Sequence, residues 1–148
     1  MVTKSTTEGE ERRSSDADVK ARILVAATVL FGERDFPGTS VRDIARKVGI
    51  LPGSLYVYVK SKEAILYEIV DHGVGEFVDV VERIPKGPAD ERLRQAIVDH
   101  VVLVARNPEK VLVVFHQWRY LGEENRRRVI ASRKKYERFY RDVLHDGI

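Results

Sequence analysis

The chain has 148 residues, with 26 basic against 23 acidic side chains, a formal charge of +3 and a pI near 9.2. At 43% hydrophobic and 33% charged residues it can bury a core, in one compact domain or a small module joined to a second, and wholesale disorder is excluded. No run approaches the roughly 20 apolar residues that cross a bilayer, the polar N-terminus is no secretory signal, and the lack of cysteine excludes disulfides, thiolate zinc sites and a cysteine nucleophile, so a cytoplasmic protein without a membrane partner is the expectation.

The total charge hides an uneven distribution. Residues 19–62 carry 8 basic and 3 acidic side chains, whereas residues 63–121 carry 7 and 10. A basic block joined to an acidic body suits contact with a polyanion at one end. A solvated surface of chance composition is the bland alternative.

In chain order, residues 1–15 are rich in Ser, Thr, Glu and Arg without apolar periodicity, and are expected to form a disordered tail. Val19, Ile23, Ala26, Ala27, Leu30 and Phe31 then recur at helical spacing, with Asp16 or Asp18 available as N-cap and a stop near Arg34, before Phe36-Pro37-Gly38. A short second helix starts at a capping-box sequence, Ser40-Val41-Arg42-Asp43, turns Val41, Ile44, Ala45 and Val48 inward, and ends at Gly49. A third begins at Pro52, tolerated in the first helical position. Ser61-Lys62-Glu63 opens a long fourth helix running to Ile84. Gly73 and Gly75 interrupt it, marking a bend or a close helix contact; as hinge residues, their joint replacement by alanine should stabilise the helix by up to roughly 2 kcal/mol.

The remainder is also helical. A fifth helix presents Leu93, Ile97, Val101 and Val104 on one face. Asn107-Pro108-Glu109 reads as cap, proline and acid at the start of a sixth, whose stripe is Val111, Val114, Phe115, Trp118 and Leu121, and Gly122 stops it. A seventh spans Glu123 to His145, with Val129, Tyr136, Phe139, Tyr140, Val143 and Leu144 inward. With no alternating strand pattern, the fold class is all-α: an N-terminal helix-turn-helix domain over 16–60 and a helical domain over 61–148.

Two short helices joined by a glycine-containing turn inside the basic block have the form of a helix-turn-helix, whose second helix enters the major groove. Small residues at its start, Gly53 and Ser54, permit close approach, and Thr39, Ser40, Tyr56, Tyr58, Lys60 and Lys62 can reach phosphates from the rim. For Tyr56 and Tyr58 the bland alternative is packing inside the small domain, and for Arg42 a solvated face. Lys62 is read as a phosphate contact, so Lys62→Ala should flatten the salt dependence by about one unit. In the C-terminal part, Trp118 on an apolar stripe reads as core. His100 and His116 lack metal spacing, and neither a nucleophile–base–acid set nor a phosphate-binding glycine loop is present, so no enzyme, metal or cofactor is expected. The basic run Arg126-Arg127-Arg128 with Arg133-Lys134-Lys135 reads as a solvated face or an attractor of anionic ligand or lipid.

Thr39-Ser40-Val41-Arg42-Asp43-Ile44-Ala45-Arg46-Lys47-Val48-Gly49, then Gly53-Ser54-Leu55-Tyr56 and Ser61-Lys62-Glu63, with Ile23-Leu24, Ala26-Ala27 and Leu30-Phe31 upstream, resemble the DNA-binding domain of the tetracycline-repressor (TetR) family over about residues 19–66. The resemblance implies a homodimeric repressor on a palindromic duplex operator, released by a small molecule. It carries DNA-contact roles onto Thr39, Ser40, Arg42, Leu51, Pro52, Gly53, Ser54, Tyr56, Tyr58 and Lys62. Three departures stand out. Leu51-Pro52 replaces a polar cap and puts apolar atoms where thymine methyls can be touched; Tyr58 and Val59 replace histidine and phenylalanine; Asp35 occupies a place commonly held by glycine. The variable ligand domain is expected to be lined by Phe77, Val81, Val101, Phe115, Trp118 and Arg119. Phe115-His116-Gln117-Trp118-Arg119 is faintly similar to regulators that sense acyl-CoA, so the expected effector is hydrophobic and acyl-CoA-like. The family's usual last two helices are not in this sequence, which leaves apolar faces of the fifth to seventh helices expected to be exposed. The rival reading is a helical small-molecule-binding or scaffold protein with a degenerate helix-turn-helix, favoured by Leu51-Pro52.

Overall fold

The computed structural model describes the backbone of residues 4–147 and the side chains of residue 13 and residues 15–147. Among the described residues seven α-helices follow in order: α1 (Lys4–Gly38), α2 (Val41–Val48), α3 (Pro52–Tyr58), α4 (Lys62–Glu82), α5 (Ala89–Arg106), α6 (Pro108–Leu112) and α7 (Glu123–Asp146). No strand occurs among the described residues. The chain divides into two compact units, residues 1–66 and 67–148. The division falls within α4 rather than before it, because the buried Ile65 and Leu66 belong with the first unit.

Helix α1 begins at Lys4, not at the Asp16 or Asp18 expected from the sequence. Residues 1–3 of the expected tail lie outside the described residues; from Lys4 the stretch is rich in Glu, Arg and Lys, whose helix propensity is high.

In the first unit, Ile23, Ala27 and Phe31 of α1 stand one helical repeat apart and are fully buried, as are Ile44 and Ala45 of α2 and Leu55 of α3. Helix α2 has the expected capping box. Asp43 N–H donates to Ser40 Oγ (3.1 Å), and Ser40 N–H donates to Asp43 Oδ2 (2.9 Å). Gly49 takes φ 82°, a left-handed conformation suited to glycine, so that its N–H and that of Ile50 both donate to the Ala45 carbonyl at 3.0 Å. Arg22 of α1 donates to the Val48 carbonyl at 2.6 Å, tying α1 to the end of α2.

The exit from α1 is strained. Asp35 has φ 61° and ψ 165°, a region that essentially only glycine occupies freely, so the helical path breaks there although a final turn continues to Gly38. Asp35→Gly is expected to raise stability by about 1 kcal/mol, after the glycine's larger unfolded-state entropy is offset. A urea melt checks this; an unchanged or lower midpoint shows that the surroundings absorb the strain.

In the second unit α4 buries Ile69, Val70, Val74, Phe77, Val78 and Val81, a broad stripe of one helix face. Two expectations fail beyond it. Ile97 and Val101 of α5 point outward, 51% and 57% exposed, while Ala96 is buried and Leu93, His100, Leu103 and Val104 are half-buried. Helix α5 thus has two apolar faces, and periodicity alone does not say which one packs. After Leu112 the chain winds as a π-turn over Val113–Gln117, then as 3₁₀ over Trp118–Tyr120. The wider turn shifts the phase, so Val113, Val114, Gln117 and Leu121 are buried, Trp118 is half-buried and Phe115 is exposed. Asn107 precedes α6 as expected but makes no side-chain cap.

The two glycines of α4 have unlike roles. A Cβ on Gly73 meets Val114 Cγ2 at 2.3 Å, and Val114 is both buried and stiff at χ1; a Cβ on Gly75 meets nothing within 4 Å. Gly73 therefore permits a close helix contact, which corrects the expectation that both positions are free to become alanine. Gly75→Ala is expected to stabilise by about 1 kcal/mol, and Gly73→Ala to destabilise by about 1 to 3 kcal/mol. Thermal melts of the two single variants decide, and equal shifts of the same sign contradict the packing role.

Candidate nucleic-acid interface

Helix α3 is held by little more than one side chain. Of its 7 residues Leu55 is fully buried, Tyr58 is half-buried, and Pro52, Gly53, Ser54, Tyr56 and Val57 are exposed. Leu51, its N-cap, makes no side-chain cap and is 75% exposed; Tyr56 and Val57 are 56% and 77% exposed. Pro52 occupies the first helical turn, and Ser54 N–H donates to the Leu51 carbonyl at 3.0 Å. Beyond its own helix backbone and chain neighbours, a Cβ on Gly53 meets no atom of the described residues within 4 Å. Around the helix, Arg42, Arg46, Lys47 and Lys60 are exposed cations, and Ser40 is an exposed hydroxyl. The exposed Val57 was not among the sequence-derived contact residues. Its position next to Tyr56 gives no periodic signal, because α3 is too short for one.

Two residues expected at a DNA rim, Thr39 and Lys62, make hydrogen bonds to backbone carbonyls within the first unit. Thr39 is buried, its Oγ1 donating into the carbonyls of Leu30 (3.1 Å) and Asp35 (3.0 Å). Lys62 Nζ donates to the carbonyls of Phe36 (2.8 Å) and Thr39 (2.9 Å) and lies 4.1 Å from the centre of the Phe36 ring. Burial lowers the Lys62 ammonium from its ordinary range. Both side chains close the end of α1, where helix carbonyls otherwise lack donors.

Asp43 is an electrostatic part of the same corner. Hydrogen bonds from the Ser40 side chain and backbone hold its carboxyl below the usual value. Because the shift is downward, the stabilisation is present above the unfolded carboxyl's range and is lost as pH falls through the lowered value.

In the second unit, Val74, Phe77, Val114, Phe115, Arg133, Tyr136 and Glu137 line a largely apolar cavity of about 260 Å³. Of the residues expected at a ligand, Phe77 and Phe115 are brought together there, with ring centroids 5.5 Å apart. Val81 is buried in the core, Val101 is exposed on α5, and Arg119 is exposed over the Tyr120 ring. Trp118 lies 4.6 Å from the Arg133 guanidinium, outside the lining. Arg133, Tyr136 and Glu137 were not among the expected lining residues, although Tyr136 stood on the expected inward face of α7; a helix dominated by charge hides which of its residues border a cavity. Arg133 donates to the Val114 carbonyl at 2.7 Å, and burial lowers its pKa. Tyr136 links His100 Nδ1 (2.7 Å) to the Tyr140 hydroxyl (2.9 Å). Burial, then the Tyr140 bond, push its phenol up, so it stays protonated. No group of metal-binding side chains occurs among the described residues, nor any helix long and apolar enough to cross a membrane.

A short exposed helix on a basic three-helix unit, followed by a helical unit with an apolar cavity, is the arrangement of a helix-turn-helix domain joined to a second helical unit. The sequence profile described as "Bacterial regulatory proteins, tetR family" matches residues 23–69, and "Tetracyclin repressor-like, C-terminal domain" matches residues 86–148. The chain is similar to the TetR family transcriptional regulator PfmR from Thermus thermophilus, with 32% identity and a TM-score of 0.80 over 85% of this chain and 70% of that one. It also resembles AibR solved with isovaleryl coenzyme A and operator DNA (28%, TM-score 0.79, 86% and 70% covered). A further relative is the HTH-type transcriptional repressor KstR2 of Mycobacterium tuberculosis, 31% identical over 87% of this chain and 66% of the repressor. The chain belongs to the TetR family. It spans about two thirds of the length of the curated relatives it matches.

Lys62→Ala is expected to lower stability by about 1.5 to 3 kcal/mol, the range for hydrogen bonds to a charged group. Urea unfolding beside a salt titration of duplex binding separates this from a phosphate contact. Unchanged stability with a salt slope reduced by about one unit restores the phosphate role.

Proposed function

We propose that the chain is a ligand-released transcriptional repressor that reads a palindromic duplex operator as a homodimer, with α3 in the major groove. The observation that carries this reading is Gly53. A glycine inside a helix costs about 1 kcal/mol relative to alanine, and beyond its own helix backbone and chain neighbours no atom of the described residues lies close enough to require it. Close approach of the helix backbone to DNA accounts for it. Leu51, Pro52 and Val57 add apolar surface for thymine methyls, Ser54 and Tyr56 offer hydroxyls to base edges or phosphates, and Ser40, Arg42 and Tyr58 flank them. Two half-sites about 34 to 36 Å apart are the requirement of such a reader. The exposed strip Ile97, Val98, Val101 and Val102 on α5 supports an assembled state.

The cavity in the second unit supports a hydrophobic effector, and the similarity to AibR, solved with isovaleryl coenzyme A, favours an acyl-CoA. The protein acts as a cytoplasmic binding protein rather than a catalyst. Leu51, which leaves α3 without a side-chain cap, favours a second reading: a helical ligand-binding protein that no longer reads DNA.

Gly53→Ala distinguishes them. The variant is expected to be more stable by up to about 1 kcal/mol while operator affinity falls by about tenfold or more through the added methyl. Fluorescence anisotropy with labelled duplex checks it. Unchanged affinity removes the first turn of α3 from the interface, and a parent chain that shows no salt-dependent duplex binding favours the second reading.

A further inference from the structure

The apolar cavity does not stand alone. Glu137, at its edge, also lines an adjoining surface pocket of about 250 Å³ formed with Lys134, Arg138 and Arg141. These three cations sit at i, i+4 and i+7 on α7, so they project from one side of the helix, next to the side that lines the cavity.

Their availability contrasts with Arg126, Arg127, Arg128 and Arg133 and is shared by Lys135, which does not line the pocket. Arg126 donates to the Arg119 and Leu121 carbonyls (2.8 and 3.0 Å). Arg127 and Arg128 face Glu123 and Glu124 one turn away. Arg133 is tied to the Val114 carbonyl and the faces of Trp118 and Phe115. Lys134, Arg138 and Arg141 are exposed and make no ion pair among the described residues. Inside the cavity the only cation in the lining, Arg133, is already committed to protein groups, so a charged head is better held outside it.

We propose that the cavity and the Lys134–Arg138–Arg141 pocket form one two-part site for an amphiphile, an apolar chain bearing a head with several phosphates. The proposal rests on the effector reading above and adds to it the head-group residues and a selectivity. The apolar part enters between Phe77, Val114 and Phe115, and the phosphates lie along the cationic edge of α7. A free carboxylic acid fills the first part only, so the protein responds to the activated, phosphate-bearing acid and little to the free one. Glu137 stands between the two parts and opposes the phosphates, which sharpens the discrimination against poorly placed anions.

Trp118 is the sole tryptophan and lies 4.6 Å from Arg133, so its fluorescence reports filling of the cavity. Titration of the chain with octanoyl-CoA, octanoate and CoA tests the proposal. Octanoyl-CoA is expected to bind about tenfold or more tighter than octanoate, with the advantage shrinking as salt rises. The triple variant Lys134→Ser, Arg138→Ser, Arg141→Ser is expected to lose about tenfold for octanoyl-CoA and nothing for octanoate, since exposed pairs each contribute modestly. Glu137→Gln is expected to tighten octanoyl-CoA binding. A thermal melt of each variant confirms folding. Equal affinity for octanoyl-CoA and octanoate, or an unaffected triple variant, overturns the two-part site and leaves the hydrophobic-effector reading intact. Binding of neither compound overturns both, while operator binding is tested separately. Capture by phosphatidylglycerol vesicles that the triple variant loses, with octanoyl-CoA binding unchanged, assigns the cations to a lipid surface and overturns the proposal.

Discussion

The corner between α1 and α2 is the constraint on which the first unit depends. A helix end leaves carbonyls without donors, and here the chain must turn within a few residues through an aspartate in a glycine-like conformation. Thr39 from within the turn and Lys62 from the start of α4 supply the missing donors, reaching the carbonyls of Leu30, Asp35, Phe36 and Thr39 itself. The same turn presents Ser40 as the cap of α2. One set of hydrogen bonds therefore stops α1, starts α2 and seats the first residue of α4. Helix α3, with a single fully buried residue, inherits its position from that frame.

The second unit depends on a comparable departure from regular helix. The π-turn at Val113–Gln117 turns Val114 toward Gly73, where only a hydrogen fits beneath its methyl groups, and leaves Phe115 beside Phe77. A regular helix carries the stripe Val111, Val114, Phe115, Trp118 inward as one face; the wider turn divides it between packing and cavity lining. Arg133 then occupies the carbonyl of Val114. Irregular turns of this kind recur at functional sites because they re-aim side chains without ending the helix.

What was legible in the sequence follows the range of the forces involved. The helix order, the Ser40–Asp43 capping box, the αL glycine at 49 and the proline starts of α3 and α6 are set within a turn or two of chain, and composition registers them. The buried stripes of α1 and α2 were legible for the same reason. Thr39 and Lys62 were not. A short polar and a long cationic side chain at a domain rim look alike whether their partner is a phosphate or a backbone carbonyl, 4 or 9 residues away for Thr39 and 23 or 26 for Lys62. The faces of α5 were ambiguous because both are apolar, and which one packs is decided by neighbouring helices. The cavity was half-legible: Phe77 and Phe115 stood in the expected lining and Tyr136 on the expected inward face of α7, whereas the lining roles of Arg133 and Glu137 were hidden in a charged helix.

The residues that fit the fold least well are the most informative about function. Buried positions explain themselves through packing, and capped or paired polar groups through their partners. Leu51, Gly53 and Val57 have neither account: a cap position without a capping side chain, a helix glycine with open space around it, and a valine 77% exposed. Each carries a small cost in isolation, and all three fall within one 7-residue helix and its N-cap. Natural sequences are locally consistent except where a site demands otherwise. Lys134, Arg138 and Arg141 make a parallel case at lower intensity, since like charges placed i, i+4 and i+7 repel and form no ion pair among the described residues. In both units, then, the residues that local stability does not account for are the ones on which the proposed operator and effector contacts rest.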